Sequence, residues 1–169
     1  MRMMKLLLIT LFLWVSFFSF AQINPTDSLP PDPGAITVYT IQNMSFGGFT
    51  EGVSGGTVVI ATDGSRSTTG DVIPLNLGLT YFQSIFEILG PVGTIISIVN
   101  GPDATLTGSN GGSMTMTIGG SNPTSPFTTT IAPPGRTQVS IGGTLNVGNA
   151  AANPPGNYTG TFLVTFNQQ

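Results

Sequence analysis

Five carboxylates lie in the part of the chain that patterns as a folded domain: Glu51, Asp63, Asp71, Glu87 and Asp103. They carry its capacity for acid–base chemistry, because the 169 residues include no histidine and no cysteine. That composition removes the commonest general base, the usual zinc and copper ligands and any thiol nucleophile. A pair of carboxylates working as in a glycosidase is the remaining catalytic arrangement. Asp63 (TDGS) and Asp103 (GPDA) sit in turn sequences, and Asp71 follows Gly70 where a strand pattern begins. Glu87 is the most unusual acid, flanked by Ile85, Phe86, Ile88 and Leu89. A solvent-facing position on a half-buried strand accounts for it. There is no Asp-x-Asp-x-Asp run for calcium and no GxSxG elbow. Residues 108–113 (GSNGGS) lack the lysine and the following helix of a phosphate loop. The sequence therefore reads as a non-enzyme without cofactor or metal.

Charge narrows the partners. Arg2 and Lys5 precede an almost wholly apolar run, residues 6–20, and Ser19-Phe20-Ala21 offers a small-x-small cleavage site before Gln22. Those fifteen apolar residues would make a helix of about 22 Å, short of the roughly 30 Å of bilayer hydrocarbon. The expectation is a signal peptide over residues 1–21, export from a Gram-negative bacterium to its periplasm, surface or surroundings, and no membrane span after cleavage. Two arginines then face seven acids, a formal charge of −5. Phosphate binding needs clustered Lys and Arg, so nucleic acid is not an expected partner. Charged residues make up 7% of the sequence, so the surface is neutral and hydroxyl-rich and opposes self-association weakly.

The elements that must position any site are strands. Residues 22–34 (QINPTDSLPPDPG) hold four prolines and read as an extended arm or linker. Residues 35–169 then pattern as a single domain of short runs punctuated by Gly, Pro and Asn. Residues 36–41, 57–62, 71–77, 81–89, 94–99, 104–107, 113–118, 127–131 and 137–147 are the expected strands, the last broken at Gly142-Gly143. Residues 81–89 (YFQSIFEIL) could form a short helix, but their β-branched and aromatic content favours a strand. In residues 113–118, Met114, Met116 and Ile118 face one way, with Thr115 and Thr117 toward water. The paired glycines at 47–48, 55–56, 111–112, 119–120 and 142–143 fit tight hairpins, bulges or loose loops. Together these features predict an all-β antiparallel sandwich of two sheets, immunoglobulin-like in plan.

The last stretch is the most informative. Tyr158, Phe162, Val164 and Phe166 fall on one face of a strand, and Thr159, Thr161 and Thr165 on the other. Its flank must be closed by an earlier segment of the chain or by another copy. Ile36, Val38 and Ile41 belong to the candidate closing strand, so these three with Phe162, Val164 and Phe166 are the expected edge or strand-exchange residues. Tyr158 is a candidate tyrosine corner, its hydroxyl turning back to nearby backbone. Asn43-Met44-Ser45 and Asn157-Tyr158-Thr159 fit an N-glycan acceptor pattern, and Asp27-Ser28-Leu29 a short O-glycan acceptor.

Several short motifs, taken in order, resemble one family. They are MSFG at residues 44–47, GGTVVI at 55–60 with DGSR at 63–66, and FEILG at 86–90 with TIISI at 94–98. TLT at 105–107 leading to MTM at 114–116, GGTLNVG at 142–148 and PGNYTGTFLVTFN at 155–167 complete the set. These resemble a family of secreted bacterial proteins called domain of unknown function 4402. The close of the chain is also similar to spore coat protein U domains and archaic chaperone-usher pilins. That resemblance implies a sandwich whose final strand is donated by the amino-terminal arm of the next subunit; those relatives usually carry cysteines that this chain lacks.

The leading expectation is a secreted, non-enzymatic structural protein, a cell-surface or fibre subunit of pilin or adhesin type that associates with itself or with other surface proteins by strand exchange. The alternative is an extracellular module that binds carbohydrate or matrix, with Tyr39, Tyr81 or Phe127 stacking on sugar rings.

Overall fold

The computed structural model describes residues 34–169. The expected signal peptide, nearly all of the proline-rich arm and Asp27-Ser28-Leu29 lie outside the described residues.

Among the described residues every regular element is a strand. In chain order they are β1 (Thr37–Gln42), β2 (Ser45–Phe46), β3 (Phe49–Thr50), β4 (Gly56–Ile60) and β5 (Arg66–Gly70). Then come β6 (Ile73–Pro74), β7 (Tyr81–Phe82), β8 (Ser84–Leu89), β9 (Ile95–Asn100) and β10 (Ala104–Gly108). The last five are β11 (Ser113–Asn122), β12 (Phe127–Thr128), β13 (Thr137–Val147), β14 (Tyr158–Thr159) and β15 (Val164–Gln168). Period-two alternation underlies the long ones. In β11, Met114, Met116 and Ile118 are buried while Thr115 and Thr117 are exposed.

The strands form antiparallel sheets, the largest curled into a half-barrel. Its main path runs β1-β8-β13-β11-β10-β14, with β4 and β5 branching from β13. β11 lines one edge of β13, while the other edge is shared: β8 pairs with residues 137–141 and β4 with residues 143–147. Gly142 stands at the fork, where a Cβ would come within 2.5 Å of the Ile60 carbonyl oxygen. β13 therefore runs through Gly142-Gly143 unbroken; the bulge falls on β11 instead, between Ile118 and Ser121. A smaller sheet, β12-β9-β15, shares its core with the half-barrel. Phe86 of β8 meets Phe166 of β15 there, with ring centroids 5.3 Å apart. Val58, Ile60, Ile88, Ile96, Val139 and Ile141 form the most deeply buried core.

The chain changes sheets twice along one line. β9 and β10 are consecutive but belong to different sheets, and the final stretch follows them antiparallel, β14 beside β10 and β15 beside β9. The crossing at residues 160–163 is tied by the Gly101 amide donating to the Leu163 carbonyl at 2.8 Å. The final stretch is thus two strands with a bend between them, because its partner bends at residues 101–103. Its two faces are as the alternation requires: Tyr158, Phe162, Val164 and Phe166 are half-buried, while Thr159, Thr161 and Thr165 are exposed.

Two other segments differ from the sequence reading. Residues 71–77 contribute just the two residues of β6, since Pro74 has no amide to donate and residues 75–80 leave the ladder. Of residues 127–131, Phe127 and Thr128 form the strand, facing Ile96 and Ile95, and Thr129 adds backbone bonds to Thr94 and Gly93 before the run leaves the sheet. Residues 81–89 are β7 and β8, not a helix.

Candidate functional site

Between the half-barrel and the carboxyl-terminal stretch lies an open cavity of about 1070 Å³. Two long runs of consecutive backbone line it, residues 43–51 on one side and residues 153–164 on the other. A pocket for a small molecule is ordinarily lined by side chains converging from many elements. Two facing runs of chain make a trough. Its floor is the inner face of the half-barrel, with Phe86, Leu106, Met114, Met116 and Leu145.

Local physics fixes each wall. The wall at residues 43–51 has its two short strands paired elsewhere, Ser45 and Phe46 with Phe82 and Tyr81, and Phe49 and Thr50 with Pro74 and Ile73. Arg66 braces it by donating from one Nη atom to the carbonyls of Phe46 and Gly48, both at 3.1 Å, while its guanidinium lies 4.3 Å from the Tyr81 ring centroid. The opposite wall is pinned by Asn153, whose side chain is almost fully buried. Its Nδ2 donates to the Ser113 carbonyl at 2.7 Å, and its Oδ1 accepts from the Gly148 amide. Tyr158 adds a second pin: its hydroxyl donates to the Pro154 carbonyl at 2.7 Å, the short upstream bond of a tyrosine corner.

The trough keeps apolar side chains from full burial. Met44, Phe49, Phe86, Leu106, Phe162 and Val164 all pack on the core and all line the opening, and none reaches the burial of the residues beneath. β14 pairs with β10 and β15 with β9; among the described residues no strand pairs with their other edges. The carboxyl-terminal end of β15 is tied to the approach to β1. There Gln168 Nε2 donates to the Gly34 carbonyl at 2.7 Å, and the Ile36 amide donates to Gln168 Oε1 at 3.2 Å.

Of the six expected edge residues, Phe162, Val164 and Phe166 are brought together on the inner face beside the trough. Ile36, Val38 and Ile41 belong to the chain's own first strand or its approach, which pairs with β8: Val38 faces Ile88 and Thr40 faces Phe86. The expected closing strand is therefore paired with β8 instead of β15, and its Thr40 lines the trough.

The acids are dispersed. Asp63 caps a turn, accepting from the Ser65 amide at 2.9 Å. Hydrogen bonds from the Ser65 hydroxyl and amide hold its carboxyl below the usual carboxylate range. Asp71 accepts from the Ser54 amide at 3.0 Å. Glu87 pairs with Arg136 at 3.0 Å, and that guanidinium stacks 3.9 Å from the Tyr39 ring centroid. Glu51 lines the trough. Among the described residues, no three His, Cys, Asp or Glu side chains are grouped to hold a metal ion. Of the aromatics expected to stack on sugars, Tyr39 and Tyr81 each carry an arginine on the ring, and Phe127 is buried rather than exposed, because its partner Ile96 lies in the core.

Sequence reasoning missed the wall at residues 43–51 and the role of Asn153. Met44 and Phe46 keep period two for one step, but Gly47-Gly48 breaks it before Phe49, and a lone Asn in NPPGN reads as turn. Their signal was the MSFG motif, which carried a family resemblance and no sustained periodicity.

No curated protein and no solved structure matches this chain. A family model does match, over residues 36–167, which includes both walls of the trough and all but the first two and last two described residues. The chain belongs to that family, described as domain of unknown function DUF4402.

Proposed function

We propose that this protein is an exported, non-enzymatic structural subunit of a cell surface or fibre, built as an immunoglobulin-like sandwich that lacks one strand and receives it from another polypeptide. The observation that carries the reading is the open apolar trough, with unpaired strand edges at β14 and β15 beside half-buried Phe162 and Val164. A strand added there would pair its backbone with those edges and turn alternate side chains onto Phe86, Met114 and Met116. A seven-residue donor burying three or four apolar side chains would contribute on the order of 5 to 12 kcal/mol. That is comparable with the whole stability of an ordinary domain, roughly 5 to 15 kcal/mol. The facing Phe86 and Phe166 rings and the Tyr158 corner support the sandwich plan. The signal-like first 21 residues and the neutral surface support export and association.

β1 pairs with β8 within its own chain, so a copy that donates it to a neighbour must release that ladder. In the proline-rich residues 22–33, four prolines could give no amide to a ladder, which makes them a poor donor. An extended strand with apolar residues at alternate positions, supplied by a partner chain, fits best.

Light scattering across a concentration series tests the reading on the exported chain. The expected result is mass above the monomer, falling when Phe162→Ser alters the trough and unchanged when Val99→Ser alters the exposed outer face of β9. A particle of monomer mass at every concentration, with or without cell-surface extract, would overturn it.

A further inference from the structure

The ladders β2·β7 and β3·β6 lie along the same two runs of chain, and they are unequally spaced. On one run Gly47 and Gly48 alone separate them; on the other, residues 75–80 do. The surplus must loop out. Both its ends are pinned, the Leu75 amide donating to the Gly48 carbonyl and the Ser45 hydroxyl to the Thr80 carbonyl, each at 2.9 Å. Between the pins, Leu75, Leu77 and Leu79 alternate with Asn76 and Gly78, and all three leucines line the trough. Leu77 nevertheless remains 66% exposed and Leu79 59%. Leucines that border an apolar cavity yet face water lack a partner on one side.

The support beneath them permits movement. A Cβ on Gly48 would lie 3.4 Å from Leu79 Cδ1 and 3.8 Å from Leu77 Cδ1, so both leucines rest on bare backbone. Gly78 has φ +74°, and nothing stands within 4 Å of where its Cβ would be. The excursion bears no charge, and Glu51 is the one carboxylate in the trough lining.

We propose that residues 75–80 are a lip that folds over the strand occupying the trough, with Leu77 and Leu79 as its gripping, specificity-determining side chains. The lip selects uncharged strands with branched apolar residues at alternate positions, since a charged side chain beneath two leucines would lose water that the leucines cannot replace. This inference rests on the reading that the trough takes a strand.

The test uses a blocked nine-residue peptide of alternating valine and threonine as probe, and a second peptide with the central valine replaced by lysine. Binding is followed by fluorescence anisotropy and by hydrogen exchange of residues 158–166 in the full exported chain and in Leu77→Asn/Leu79→Asn. Both changes are at exposed positions and leave the melting temperature unchanged. The expected result is protection of residues 158–166 by the valine peptide, weakened about tenfold or more in the double variant, as loss of two closing leucines implies. The lysine peptide should bind the parent chain more weakly, and the double variant should discriminate less between the two peptides. Equal affinity for parent and variant, with protection intact, would overturn the lip while leaving the strand site standing. Absence of protection in the parent, or binding of dodecanoate in place of either peptide, would overturn both.

Discussion

Asn153 does more for this molecule than its place in a Pro-rich turn suggests. It joins Ser113 at the start of β11 to Gly148 at the end of β13, and nothing polar but its own amide reaches those groups through a side chain. Asn153→Ala would remove two hydrogen bonds to backbone groups that are not fully buried, at about 0.5–1.5 kcal/mol each. The expected loss is therefore roughly 1–3 kcal/mol in chemical denaturation, with no change in the slope against denaturant. Tyr158→Phe removes one hydroxyl bond to Pro154 and keeps the ring; about 1 kcal/mol is expected, read in the same assay. Glu87→Gln is the contrasting case, because the Arg136 and Glu87 side chains are 38% and 30% exposed. Their pairing is screened, so a loss under about 1 kcal/mol, vanishing in high salt, is expected. Asp63 sets a small acid-side dependence. Its folded pKa is depressed, so its contribution is present above the unfolded carboxylate value and disappears as pH falls through the lower folded value. Asp63→Asn should flatten the stability profile below about pH 4 and leave it unchanged at neutrality.

At the scale of elements, the fork in the half-barrel depends on a missing side chain. Gly142 lets β13 pass Ile60 while one of its edges changes partner from β8 to β4. Gly142→Val would push a branched side chain onto that carbonyl; a loss of about 1–3 kcal/mol or more is expected, with faster exchange of the β4 and β5 amides than of β8. Strands with strict alternation and one covered face were legible in the sequence, β11 above all, because period two has a single physical meaning when one face is buried. The fork was not, since Gly142-Gly143 reads equally as a break or as a close approach. The proline and glycine of residues 71–80 hid the opposite error: apolar alternation continues through Leu75, Leu77 and Leu79, but after the Leu75 amide's bond to Gly48 the run leaves the ladder. Phe127 was misjudged for a related reason, as a two-residue ladder buries a ring without leaving any pattern.

At the scale of the whole molecule, half of the candidate site could be read in the final residues and half could not. The alternation of Phe162, Val164 and Phe166 signalled a strand in need of cover, whereas the facing wall is irregular chain held by Arg66 and two short ladders. What the assembled body adds is that β1, the expected closing strand, is already paired with β8. The stability of the isolated chain should then depend on how much of its partner is present. A strand received from another copy binds the folded state and not the unfolded one, so it raises stability by an amount that grows with the logarithm of protein concentration. Across a hundredfold dilution at saturation the change is about 2.7 kcal/mol, several degrees of melting temperature for a domain of this size. Calorimetry of the chain without residues 1–21 over that range should show the midpoint falling as the sample is diluted, and Phe162→Ser should both lower the midpoint and abolish its concentration dependence. A midpoint that stays constant in the parent chain would mean that no copy covers the trough of another, and the donor strand must then come from a different protein.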